Sequence, residues 1–210
     1  MSQDQKKNLI IEAAQKRFAH FGVGKTTMNE IADDLSLSKA SLYYYFPDKL
    51  NLYAAVLQKI IETEELNKEV YAKETDPLAA LNLYLEHRTQ FIIQHYNILE
   101  YLKTLGTGIP AELEPIFSSA RGREITAIAE IFEKGTAAKK LVISDAASLA
   151  ALFFDALDGV RLSVIARKTN FFPDKEQFYE LGLREKELAR IFLRGLASQA
   201  FLSLLFLLVS

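Results

Sequence analysis

Between residues 26 and 49 the chain sets the hydroxyls of Thr26, Thr27, Ser38, Ser41, Tyr43, Tyr44 and Tyr45 beside two ammonium groups, on Lys39 and Lys49. Ala40 sits among them and is small enough to let another molecule come close. No Ser/His/Asp set and no paired carboxylates stand at a spacing that would activate one of these groups for covalent chemistry. What remains is hydrogen bonding. Hydroxyls and ammonium groups bind phosphate oxygens, and short side chains and phenol rings meet base edges and thymine methyls.

Such groups act together only if helices hold them. Ile10, Ala13, Ala14, Phe18 and Phe21 give residues 4–21 a helical stripe that Gly22 and Gly24 end. Thr27 and Glu30 form a T-x-x-E capping box, and Met28, Ile31, Ala32 and Leu35 follow at helical spacing. Ser36–Ser38 make a turn. Ser38 then caps a third helix whose Leu42, Tyr45 and Phe46 face inward. Pro47-Asp48 breaks the chain before a fourth helix, expected over 49–72. A supporting helix, a short turn and a second helix that offers its N-terminal side chains make a helix-turn-helix for a DNA groove. The adjacent Tyr43, Tyr44 and Tyr45 span about 200° of helix, so they cannot all be core.

This stretch resembles the TetR family of one-component transcriptional repressors. The matching pieces are Phe18-x-x-x-Gly22, Thr26-Thr27-Met28-x-x-Ile31-Ala32, Ser38 through Phe46, and Lys49-x-x-Leu52, together covering about residues 5–55. The resemblance implies phosphate contacts from Thr27, Ser38, Lys39, Tyr43, Tyr45 and Lys49. It places Ala40, Ser41 and Tyr44 nearest the bases, and Thr26 stands beside Thr27 at the start of the supporting helix. Two positions depart from the family. Ser36 stands where Gly is usual, at a cost of about 1 kcal/mol if that backbone is left-handed. Ala40 replaces a frequent Gly.

Composition narrows the function further. Residues 1–50 carry seven Lys/Arg against six Asp/Glu, and the whole chain has net charge −2, so this is no polybasic clamp. There is no Cys, which removes disulfides and thiolate metal sites and suits a reducing cytoplasm. The start, MSQDQKKN, does not read as a signal peptide. GVGKTT at 22–27 imitates a phosphate-binding loop, but Ala19 stands where that motif needs Gly, and a helix precedes it instead of a strand. His20, His87 and His95 form no metal-site pair, so no metal, cofactor or enzymatic activity is expected.

The rest of the chain reads as helices from 77 to about 105 with room for a break near Tyr96-Asn97, short pieces over 111–119, then 121–138, 144–168 and 175 onward. The expected fold is all-α. It has a three-helix DNA-binding module over 1–48 and a helical effector-binding and dimerisation domain over 49–210. Tyr84, His87, Phe91, Tyr101, Phe117, Phe132 and Phe153 are the candidate lining for a small apolar or amphipathic effector. The helices near 144–168 and 175–208 are expected to pair two copies; there Ala156-Leu157-Asp158-Gly159-Val160 resembles the family's dimer helix. The apolar tail 195–209 is too short to span a membrane. The expected function is a homodimeric repressor released from a palindromic operator on double-stranded DNA by its effector. The alternative is a ligand-independent or activating regulator of the same fold.

Overall fold

Side-chain caps set where the helices begin. In the computed structural model, which describes residues 2–65, 69–105, 108–165 and 175–197, α1 (Gln3–Phe21) starts at Ser2, whose hydroxyl accepts from the Gln5 amide. α2 (Met28–Asp34) starts at Thr27 with the capping box expected of Thr27 and Glu30. α3 (Lys39–Tyr45) starts at Ser38, whose hydroxyl accepts from the Ser41 amide. α4 (Lys49–Glu65) starts after Asp48, which accepts from the Asn51 amide at 2.8 Å. α5 (Glu69–Ala72) is one turn. Asp76 then accepts from the Ala79 amide, with Pro77 in the first turn of α6 (Pro77–Gln94).

The break expected near Tyr96-Asn97 falls at His95. α7 (Tyr96–Leu99) and a 3-10 turn, Glu100–Leu105, follow it. The pieces read separately over 111–119 and 121–138 form one helix, α8 (Glu114–Ala137). Pro115 is tolerated in its first turn, and Gly122 weakens a helix without ending it. α9 (Ala146–Ile165) begins after Asp145, which accepts from the Ser148 amide, and α10 (Lys175–Leu196) closes the described chain. Residues 66–68, the loop 170–174 and the tail from 198 lie outside the described residues.

The chain packs as two units, Met1–Leu66 with Phe91–Ala120, and Asn67–Gln90 with Arg121–Ser210. In the first, Ile10, Phe18, Ile31, Leu42, Tyr53 and Leu57 are fully enclosed. The Tyr53 hydroxyl donates to the Ile98 carbonyl at 3.0 Å, and its ring meets Phe18 and Tyr101 edge-on. Burial pushes that phenol far above its ordinary pKa. In the second unit Phe132, Phe153 and Phe192 pack ring on ring, with centroids 4.9–6.1 Å apart. A Cβ on Gly135 would lie 2.8 Å from the Pro77 ring, so glycine is required where α8 passes it. The division by role into 1–48 and 49–210 concerns function and is a separate matter from this packing.

Candidate nucleic-acid interface

The geometry of α2 and α3 comes from a tight turn between them. The Leu37 amide donates to the Ala32 carbonyl and the Ser36 amide to the Asp33 carbonyl, which is the Schellman pattern. Ser36 sits at its left-handed position, with φ 52°. Gly is the favoured residue there, so the departure found in sequence carries a real backbone cost. Arg17 of α1 braces α2 from outside. It donates to Asp34 through two nitrogens, and its third lies 3.6 Å from Glu30.

α3 is sharply two-sided. Leu42 has no exposure and the Phe46 cap residue is buried, while Ser38, Lys39 and Ala40 are exposed and Tyr44 is 73% exposed. Tyr43 is also at the surface, with the Lys39 ammonium 5.7 Å over its ring. Tyr45 is half-buried and meets Tyr44 edge-on. The Ser41 hydroxyl accepts from Lys6 at 3.2 Å, and the same ammonium lies 5.9 Å over the Tyr45 ring. Lys6 is therefore a cation of this surface that sequence reading missed. It lies 35 residues from Ser41, and no local spacing joins them.

Two expected contacts are placed otherwise. Thr26 is 1% exposed and its hydroxyl donates to the Gly22 carbonyl, so of the two threonines only Thr27 reaches the surface. The Lys49 ammonium donates to the carbonyls of Val23 at 3.0 Å, Thr26 at 3.2 Å and Gly24 at 3.4 Å. It ties the α1–α2 turn together beneath the surface where Thr27 stands. A lysine satisfied by three carbonyls holds the frame and has little left to offer a phosphate.

The seven residues expected to line an effector pocket divide between the two cores. Phe91, Tyr101 and Phe117 pack in the first unit, where Phe117 lines an apolar groove of about 250 Å³ with Leu102, Leu105 and Leu113. Tyr84, Phe132 and Phe153 are buried in the second unit, and His87 is half-buried there beside Tyr71. Sequence reading of that unit followed aromatics and passed over its charges. Arg88, Glu124, Asp158, Arg161 and Glu185 form a network in it, and Glu185 is 2% exposed. Charged residues scattered over 98 positions give no local signal of meeting. Among the described residues no His/Cys/Asp/Glu group could hold a metal ion, and no helix is long and apolar enough to cross a membrane.

The family model described as bacterial regulatory proteins, tetR family, matches residues 10–56. The regulator RutR of Escherichia coli is 38% identical over 80 residues, covering 38% of this chain and 38% of its own length. A probable acrEF/envCD operon repressor of Escherichia coli is 33% identical over 85 residues, 40% of this chain and 39% of its own. The chain thus spans well under half the length of these curated relatives. The crystal structure of a transcriptional regulator from Cytophaga hutchinsonii matches throughout, with 33% identity, 92% of this chain and 99% of that one covered, and a TM-score of 0.79.

Proposed function

The chain belongs to the tetR family of bacterial regulatory proteins, which are transcriptional regulators and not enzymes, and from that premise we propose that it is a homodimeric repressor released from a palindromic operator by a small apolar or amphipathic effector. The observation that carries the DNA reading is the two-sidedness of α3, with Leu42 enclosed and Tyr44 73% exposed on one seven-residue helix. Thr27, Ser38, Lys39, Tyr43 and Lys6 face phosphates, and Ala40, Ser41 and Tyr44 lie nearest the bases. Thr26 and Lys49 hold the turn that presents them. With near-neutral charge, one such module binds weakly, so two must act together in the cytoplasm on double-stranded DNA.

Pairing through α9 and α10 is supported by what those helices leave uncovered. Leu152 and Leu162 on α9, and Tyr179, Leu183 and Ile191 on α10, are each more than half exposed. Gly159 and Gly182 sit inside these helices, where a Cβ would meet nothing within the protomer. A helical Gly costs about 1 kcal/mol against Ala, and close approach by a second copy accounts for both. A two-fold dimer then offers two α3 helices to half-sites about 34–36 Å apart. Coupling of effector to operator need be only about 1–3 kcal/mol.

One observation favours the alternative of a regulator that works without effector or activates. Phe132 and Phe153 are packed with no exposure. Selection of bound sequences from random double-stranded DNA tests the proposal. A palindrome is expected, and enrichment of no sequence over any other would overturn it.

A further inference from the structure

The charged network of the second unit joins four helices. Arg161 of α9 donates to Asp158 at 3.2 Å and to Glu185 of α10 at 3.3 Å. The Tyr84 hydroxyl of α6 donates to Glu124 of α8. Arg88 of α6 is held less well. Its Nη2 lies 3.6 Å from Asp158 and its Nε 3.9 Å from Glu124, both beyond hydrogen-bond length. The guanidinium carbon lies 5.0 Å from the centroid of the Phe154 ring, and that of Arg121 lies at the same distance from it. Arg88 Nη1 and Arg161 Nε are enclosed and have no acceptor among the described residues.

An enclosed donor without an acceptor is destabilising, and more so on a charged group. A planar guanidinium held against a ring is arranged for an acceptor that arrives from elsewhere. The surrounding charge says what kind. Three guanidiniums, of Arg88, Arg121 and Arg161, already face four carboxylates, Glu124, Asp155, Asp158 and Glu185. An anionic group would add a fifth negative charge beside them. An ammonium group has no lone pair to offer an N–H donor. An uncharged oxygen meets both conditions.

We infer that Arg88 is the polar anchor of the effector site, and that the effector is uncharged and offers a carbonyl, phenol or ether oxygen to Arg88 Nη1. This rests on the reading above that the chain binds an effector.

Benzamide, benzoate and benzylamine share one body and differ in charge. Their binding to the full chain is measured by ligand-observed NMR, for the wild type, R88M and R88K. Benzamide is expected to bind the wild type at least tenfold more tightly than either charged probe, and R88M to lose at least tenfold. R88K keeps the charge and removes the planar fork. It guards against misfolding of R88M and is expected to weaken benzamide as well. The inference is overturned if benzoate or benzylamine matches benzamide, or if R88K and R88M leave benzamide binding unchanged. It is overturned too if no probe binds the wild type, which would mean that the donor meets only internal water. The DNA selection, run beside these titrations, separates the two failures: a retained palindrome with failed probes strikes the anchor alone, and a lost palindrome strikes the regulator reading.

Discussion

Lys39 and Lys49 have the same side chain and opposite work. Lys39 is exposed on α3, whereas Lys49 is spent on three carbonyls of the α1–α2 turn. Replacing Lys39 by Met should weaken DNA binding and reduce the slope of log affinity against log salt by about 1 for each half-site, or about 2 for the dimer. Lys49→Met should also weaken binding but leave that slope unchanged, because it loosens a frame and removes no phosphate contact. Binding isotherms across a salt series separate the two. Ser36→Gly should raise stability by up to about 1 kcal/mol in urea unfolding, because Ser36 occupies a left-handed backbone at φ 52°. Residue identity made the Ser36 conflict legible in the sequence. The fates of Thr26 and Lys49 were not legible, because their partners are backbone carbonyls, which no side-chain pattern marks.

At the scale of elements, the reading helices rest on carboxylates. Bonds from the Thr27 amide and hydroxyl hold the Glu30 carboxyl below its ordinary range, and Arg17 does the same for Asp34. The Asn51 amide lowers Asp48 at the start of α4. A carboxyl depressed in the folded state stabilises fully above its unfolded pKa, and that stability is lost as pH falls through the folded value. Melting followed by circular dichroism should therefore drop as pH falls below about 4, and Glu30→Gln should make the drop shallower. Caps and apolar spacing made α1 to α4 legible. The join of 111–119 to 121–138 in α8 was not, because Pro115 and Gly122 weaken the local helical pattern on either side of it. The second unit's charged network is legible only once four helices have met, and aromatics at helical spacing look alike whether they line a pocket or fill a core.

For the whole molecule, the account stands on pairing. Leu162→Arg or Ile191→Glu places a charge in the exposed apolar face of α9 or α10. Sedimentation should show a monomer for either variant, with operator affinity reduced at least tenfold and the helical spectrum kept. The most direct measurement of the central claim is a footprint of the wild-type chain on its selected DNA, repeated with Tyr44→Ala. The account predicts two symmetric protected half-sites about one helical turn apart, and weaker, less selective protection by the variant. A single unsymmetric patch, or protection that Tyr44→Ala leaves unchanged, would contradict it.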